Sequence, residues 1–364
     1  MRVRVNPLQF HAANLSDEFT TYEAYLLPMP TCRVLVIRFS SIGDIVLTTP
    51  VLRALKTQLE GEVSVHFLTK NKFKEVLAAN PHIDVVHTIE NSVQEILPEL
   101  VQANFDYVID LQNNLRSRIV RRRLKVLSFA LRKLNIRKWI LVRLGIDLLP
   151  DQHIVDRYME CLRAFSVTDD GLGLDFFIRQ GVTSWPAPLK HPYVAIAIGA
   201  AHEGKKFSRA RLEQLCQRIP YPIALLGGTD DIDTGKTLAA IAPERIFNGC
   251  GRWTLEESAD ILKRSELVIC GDTGLMHIAC ALRKKIIMIW GCTTSRLGMG
   301  PYLPAESSIE IEPPKRGWLP WRKRPCSKLG NRCKFRMRRK CIDTVDLNLI
   351  VAAIEKLWAP QRGL

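Results

Sequence analysis

Asp44 is the first residue of this sequence whose position suggests chemistry. It ends the loop Ser-Ser-Ile-Gly-Asp, which follows an apolar, β-branched run at 33–39 and precedes a periodic, helix-like segment at 45–55. A carboxylate at such a turn either caps the helix or acts as a general base, and both roles stay open on the residues alone. Gly43 would let the backbone approach a ligand closely. The loop lacks the G-x-G-x-x-G pattern of dinucleotide binders, which counts against a dehydrogenase.

A second loop of this kind follows the apolar run at 267–270. Small residues at a strand-to-helix turn leave backbone N–H groups and the positive helix end free for a diphosphate. An ordinary helix N-cap is the competing interpretation. Asp272 would repel phosphate, so we expect it to fix the loop or to bind a sugar hydroxyl. The candidate ligand-binding residues here are Asp272, Thr273, Gly274 and His277.

Two further strand ends carry charged residues. Lys205 lies in the loop after the run at 193–198 and could neutralise a departing diphosphate. Asp230 and Asp231 follow a Gly pair, where an acid could hold ribose hydroxyls. The residues 231–233 also match the D-x-D signature of metal-diphosphate sites, although an acidic helix start explains so short a match equally well.

Parallel strands must position these loops, and the chain contains two series of alternating strands and helices. The alternation indicates parallel sheets covered by helices. We predict five parts of the chain. They are an N-terminal appendage, a first α/β domain, a Pro-containing linker, a second α/β domain with a basic tail, and a C-terminal helix, at 1–29, 30–180, 181–192, 193–343 and 344–364. Met29 closely precedes the first strand, so a misassigned start codon and a functional arm are both open.

The net charge of +15 is concentrated in two segments. Residues 111–146 contain 11 Lys and Arg, and residues 313–342 contain 12, with no Asp or Glu in either. The remainder is mildly acidic, so these segments point to an anionic partner at specific places. Nucleic acid, anionic lipid and a phosphorylated glycan are the candidates, but few aromatics and no known nucleic-acid motif accompany the charge.

Most of the ten cysteines lie in apolar runs, which is typical of reduced, buried cysteine. Cys326, Cys333 and Cys341 instead lie in the second basic segment, where a disulfide, a metal clip and free thiols all remain open. No apolar run is long enough to span a membrane, and no signal peptide is evident. We therefore expect a cytoplasmic protein.

Five ordered motifs, spanning about Cys32 to Trp358, resemble glycosyltransferase family 9, the bacterial lipopolysaccharide heptosyltransferases. They are S-S-I-G-D-I-V-L-T-T-P, D-L-Q-N-N-L-R-S, G-A-A-H-E-G-K-K-F, L-L-G-G-T-D-D and D-T-G-L-M-H-I-A-C-A-L. The resemblance implies an α/β fold of GT-B type, with two facing Rossmann-like domains. It implies that the domain at 30–180 is the acceptor-side one and that the domain at 193–343 binds the nucleotide sugar. It also implies inverting sugar transfer without a metal.

The resemblance assigns roles to individual residues. It implies that Asp44 is the catalytic base and that Arg116 is a loosely matched acceptor-binding position. It implies donor binding by Lys205, Asp231, Asp272, Thr273, Gly274 and His277.

We thus expect transfer of a heptose or related sugar from a nucleoside diphosphate donor, of ADP-heptose type, to an anionic lipopolysaccharide-type glycolipid. No separate cofactor and no nucleic-acid partner are expected. The first basic segment is expected to hold the enzyme at the inner face of the cytoplasmic membrane. The alternatives are a nucleotide-sugar epimerase of the same fold and a nucleic-acid-binding protein.

Overall fold

The computed structural model describes residues 31–182, 189–314, 324–331 and 340–358, which form two parallel α/β halves. The first half contains a five-stranded sheet in the order β3-β2-β1-β4-β5, and every pair is parallel. The central strand is buried over its last four residues, because helices cover both faces of the sheet. The strands are β1 (Cys32–Ile37), β2 (Val63–Lys70), β3 (Val85–Ile89), β4 (Tyr107–Asp110) and β5 (Leu127–Ala130).

Short helices connect these strands. The loop after β1 leads directly into the first helix, and the next helix has a proline, Pro50, in its first turn, where the missing N–H costs no hydrogen bond. That second helix buries Val51, Leu52 and Leu55 against the sheet. The helices are α1 (Ile42–Val46), α2 (Thr49–Gln58), α3 (Leu97–Gln102), α4 (Leu115–Leu124), α5 (Asn135–Leu144) and α6 (Ile154–Met159).

The second half repeats the design with a six-stranded parallel sheet in the order β11-β10-β9-β6-β7-β8. Its strands are β6 (Val194–Ala197), β7 (Ile223–Leu226), β8 (Ile246–Asn248), β9 (Leu267–Cys270), β10 (Ile286–Ile289) and β11 (Ile309–Ile311). Its helices are α7 (Arg209–Arg218), α8 (Ile232–Ala239), α9 (Leu255–Arg264), α10 (Gly274–Ala281) and α11 (Leu347–Leu357). The two sheets confirm the predicted α/β class.

Three edge strands, β5, β8 and β11, were not expected from the sequence. β5 lies inside the first basic segment and is at least partly exposed along its length. Its residues therefore do not show the regular alternation of apolar and polar side chains that marks a half-buried strand. β8 and β11 have three residues each, which is too short for a periodic signal.

The two halves meet where α1 packs against α10. One apolar cluster runs through this junction and includes Ile45 of α1, Tyr158 of α6 and Met276 of α10. No helix in the described ranges is long and apolar enough to cross a membrane. The predicted appendage at 1–29, residues 183–188 of the predicted linker, and Cys333 lie outside the described residues.

Candidate active site

A cavity of about 510 Å³ lies between the two halves, at the carboxyl ends of β1 and β9. Open α/β sheets bind their ligands at this edge. The loop after β1 and residues of α5 and α6 line one side, and the first turn of α10 lines the other. The cavity gathers six of the eight predicted site residues, namely Asp44, Lys205, Asp272, Thr273, Gly274 and His277.

Asp44 is held by three donors. Its Oδ2 accepts hydrogen bonds from the Ser41 backbone N–H at 3.0 Å and from Ser41 Oγ at 2.9 Å. Its Oδ1 pairs with Arg38 Nη2 at 2.5 Å. Because a carboxylate offers about four lone-pair sites, Oδ1 keeps one for an incoming hydroxyl. The structure therefore shows the helix-capping contact and leaves room for the base role as well.

Arg38 fixes the loop that carries Asp44. Its Nε donates to the Ser40 carbonyl at 2.9 Å and its Nη1 donates to the Leu111 carbonyl at 2.8 Å, which ties the ends of β1 and β4 together. Burial works to lower the pKa of Arg38, but Tyr158, Asp44 and Asp110 outweigh it and raise the pKa. Arg38 therefore stays charged next to the carboxylate. Arg38 was not among the predicted site residues, because an arginine at a strand end carries no motif of its own.

Lys205 approaches the cavity from the loop after β6 and pairs with Asp272 Oδ2 at 2.7 Å. The same oxygen accepts a hydrogen bond from Thr293 Oγ1 at 2.8 Å. Asp272 thus holds the lysine and the loops after β9 and β10 in place. An ammonium that is positioned in this way can exchange its carboxylate partner for the oxygens of a bound phosphate.

The N-terminus of α10 opens into the cavity. Thr273 caps the helix, and its Oγ1 accepts from the Met276 N–H at 3.3 Å. No acidic residue lies in the first turn, so the helix end remains positive. His277 follows one turn later, and burial lowers its pKa to about 4, which keeps the imidazole neutral. Within the described residues, His277 Nδ1 has no hydrogen-bond partner.

Gly43 and Gly274 let the two halves approach each other at the cavity. A Cβ atom on Gly43 would lie 2.4 Å from His277 Cδ2, and a Cβ atom on Gly274 would lie 2.9 Å from Ile42 Cγ2. Only glycine fits at such separations. The close approach brings α1, with Asp44, against the first turn of α10.

Two predicted site residues lie outside the cavity. Asp231 caps the loop after β7, where it accepts from the Gly228 N–H at 3.0 Å and pairs with Lys206 at 2.9 Å. Arg116 is exposed on α4. The acid at the other end of the D-x-D match, Asp233, has a solvent-exposed side chain. Their proposed roles in binding ribose and acceptor stay predictions.

Four cations that line the cavity were not singled out as site residues. Lys138 Nζ, in α5 of the first half, donates to the Leu297 carbonyl of the second half at 2.6 Å. Lys328 Nζ, in the second half, donates to the Asn135 carbonyl of α5 at 3.0 Å. Burial, followed by repulsion from Arg157, lowers the pKa of Lys138 to about 8. The four are Lys133, Lys138, Arg157 and Lys328. Lys133, Lys138 and Lys328 come from the two basic segments, and that clustering was the available signal for these three.

The cavity is strongly cationic. Its lining within the described residues contains six Lys and Arg side chains but only two acids, Asp44 and Asp272. Each acid already has a basic partner, Arg38 or Lys205. The remaining positive charge suits a ligand with several negative charges.

Comparison with known proteins accounts for this arrangement. The model of glycosyltransferase family 9 (heptosyltransferase) matches residues 94–315, which is more than half of the chain. The chain belongs to this family. It is a glycosyl-transferring enzyme, and the recognition of the family from its motifs is confirmed.

The similarity to relatives of this family 9 protein extends over most of each relative's length. Lipopolysaccharide heptosyltransferase 1 of Campylobacter coli is 25% identical over 295 residues, which are 72% of this chain and 85% of the relative. A family 9 glycosyltransferase from Veillonella parvula has a TM-score of 0.68 at 19% identity, covering 90% of this chain and 97% of its own. The ADP-heptose lps heptosyltransferase II of Escherichia coli has a TM-score of 0.67 at 15% identity, covering 89% and 98%. These structures support the GT-B architecture.

Proposed function

We propose that this family 9 enzyme transfers a heptose from an ADP-heptose-type donor to a lipopolysaccharide-type acceptor, with inversion and without a metal ion. The observation that carries the proposal is one cavity in which Asp44 of the first half faces Lys205 and the α10 N-terminus of the second. The names of the relatives supply the sugar, the nucleotide and the glycolipid class.

The chemistry follows from these positions. The carboxylate of Asp44 takes the proton of the acceptor hydroxyl while the oxygen of that hydroxyl bonds to the anomeric carbon. The bond from that carbon to the diphosphate breaks on the opposite face, which inverts the configuration. Lys205 and the first N–H groups of α10 stabilise the charge that grows on the nucleoside diphosphate. Such fixed donors supply the stabilisation for which other transferases use a cation.

The test is transfer in vitro. Purified protein is incubated with ADP-heptose and with lipopolysaccharide extracted from cells that lack the gene. We expect the acceptor to gain the mass of one heptose, NMR of the product to show inversion, and EDTA to leave the rate unchanged. Donor consumption without a heavier acceptor would favour the epimerase alternative. A rate that EDTA abolishes and magnesium restores would overturn the metal-free mechanism.

We also propose that the first half docks on an anionic membrane from the cytoplasmic side. Helix α5 exposes Ile136 and Trp139, which are 77% and 53% accessible, next to Arg137 and Arg143. Apolar side chains that enter the acyl boundary beside cations that meet phosphate head groups are typical of interfacial segments. Each such cation contributes on the order of 1 kcal/mol near anionic lipid.

Vesicle co-sedimentation tests this proposal. The protein is mixed with vesicles of neutral phosphatidylcholine, or of phosphatidylcholine with phosphatidylglycerol, at low and high salt. We expect binding to the anionic vesicles alone, with release by salt. Trp139→Ser should weaken it, whereas Leu349→Ser, at a residue of α11 that is 55% exposed, serves as a matched control and should not. Equal recovery with both vesicle types would refute the docking surface.

A further inference from the structure

Tyr158, in α6, is fully buried and lines the cavity, yet its hydroxyl has no hydrogen-bond partner in the described part of the chain. An unpartnered buried hydroxyl is costly, because it gives up its hydrogen bonds to water. Natural proteins leave few such groups, and each calls for a reason. A tyrosine that served packing alone would be replaced by phenylalanine without loss.

The surroundings of the hydroxyl explain why no protein partner is available. The charged groups that act on it include Arg38 and Arg157, which have only donors to offer. The guanidinium carbon of Arg38 lies 5.9 Å from the centre of the tyrosine ring. Asp44 is a nearby acceptor, but its oxygens bind Ser41 and Arg38 and make no hydrogen bond to the phenol.

Arg157 adds a second, independent observation. It is buried, its Nη2 donates to the Arg132 carbonyl, and no carboxylate pairs with it among the described residues. A buried charge without a counterion is unfavourable unless a ligand supplies one. At the wall of the cavity that carries Asp44, two adjacent residues of α6 are therefore incompletely satisfied: Tyr158 lacks a hydrogen-bond partner and Arg157 lacks a counterion.

We propose that Tyr158 and Arg157 bind an anionic oxygen, of a carboxylate or a phosphate, on the acceptor sugar next to the hydroxyl that Asp44 deprotonates. This inference rests on the transferase function proposed above and assigns the acceptor subsite. The phenol is suited to donate, because burial raises the pKa of Tyr158 to about 12 and keeps its proton in place. Donor binding takes place on the opposite wall and does not involve this pair.

The test is Tyr158→Phe, which removes the hydroxyl and leaves the ring. We expect kcat/KM for the lipopolysaccharide acceptor to fall by about 10- to 100-fold, the loss for one hydrogen bond to a charged group. The affinity for ADP should not change. The melting temperature should stay the same or rise, because the variant no longer buries an unpartnered hydroxyl.

Tyr193→Phe is the matched control. Its hydroxyl donates to the Ile261 carbonyl at 2.6 Å in the core of the second half. We expect this variant to lose melting temperature and to keep its transfer rate, which is the opposite pattern. A Tyr158→Phe protein that transfers as fast as the wild type, or that loses stability instead of activity, would overturn the proposal.

Two modified acceptors distinguish the source of the anionic oxygen. Lipopolysaccharide that has been dephosphorylated with aqueous hydrogen fluoride lacks phosphates, and lipopolysaccharide that has been carboxyl-reduced lacks carboxylates. The wild type and Tyr158→Phe should become equally active on the acceptor that lacks the recognised group. If the wild type transfers no heptose to native acceptor, the proposed function fails. If the wild type does transfer heptose, but Tyr158→Phe is as active as the wild type on both native and modified acceptors, only the proposed subsite fails.

Discussion

Replacing Asp44 by asparagine tests the centre of the mechanism. The amide keeps the shape of the side chain but cannot take a proton from the acceptor hydroxyl. The substitution also changes the hydrogen bonds around the side chain, however. Arg38 occupies one carboxylate oxygen and Ser41 the other, and both are donors, so the amide NH2 must face a donor in either orientation.

The two consequences differ in size. Losing one charge-assisted hydrogen bond costs about 1–3 kcal/mol of stability, and a domain that begins with about 5–15 kcal/mol stays essentially folded at 25 °C. Losing general-base catalysis lowers turnover by about 10²–10⁴-fold. Partial unfolding therefore cannot account for the loss of activity that we expect from Asp44→Asn.

The assay measures three quantities on each protein. The rate of ADP release is recorded at saturating donor and acceptor, the affinity for ADP by calorimetry, and the melting temperature by differential scanning. Asp84→Asn is the control, since Asp84 also accepts a backbone N–H, from Val65 at 2.7 Å, and pairs with a cation, Lys56 at 2.8 Å, but lies outside the cavity. It should lose melting temperature and keep its turnover.

The outcome separates the possible roles of Asp44. Turnover above about a tenth of the wild-type value would show that it is no general base. A loss of ADP affinity as large as the loss of rate would assign it to donor binding instead. Only a loss of turnover with intact ADP affinity supports the mechanism.

Three other changes have defined outcomes. Arg38→Met should lower kcat more than it raises KM for the donor, and should have no further effect in an Asp44→Asn background, because its role in catalysis acts through that carboxylate; additive losses would contradict this. Gly43→Ala should reduce transfer sharply, since the new methyl group would collide with the His277 ring; an unchanged rate would show that the two halves need not approach so closely. Raising the pH through about 8 should remove the charge of Lys138 in the folded protein, whereas the unfolded chain keeps this charge up to about pH 10.5. The free energy of unfolding should therefore rise between these two pH values, while the affinity for an anionic acceptor falls. KM for the acceptor, measured over a pH series, should rise above about pH 8. Lys138→Arg keeps its charge, so this variant should show no such rise in KM.

The elements that the sequence predicted well are those with a strong local signal. The strand β9 has the bounds of the apolar run at 267–270, because its apolar residues and the polar turn that follows define it. The loops after β1 and β9 were also found, since small and charged residues at a strand end point to a ligand edge. Strands such as β5 depend on neighbours across the sheet, and no local pattern shows them.

The same distinction applies to the site. Asp44, Lys205 and His277 were accessible to prediction because each stands in an ordered motif. Arg157 and Tyr158 were not, since nothing in their own segment shows that α6 packs beside the loop after β1. Their significance comes from missing partners, and only three-dimensional contacts show which groups lack them.

The charge of the cavity links the donor and acceptor proposals. Arg38 and Lys205 are already paired with Asp44 and Asp272, so four further cations remain in its lining within the described residues. A nucleoside diphosphate brings about two negative charges to the α10 side, where its phosphates compete with Asp272 for Lys205. Three of the unpaired cations, Lys133, Lys138 and Arg157, come from α5, α6 and the segment before α5, on the side of Asp44. Lys328 comes from the second half, but its Nζ bonds the Asn135 carbonyl on the Asp44 side. The donor therefore leaves most of their charge uncompensated. An acceptor with anionic groups beside its reacting hydroxyl would supply the counterions, and the enzyme would then reject a neutral sugar by leaving those cations unpaired.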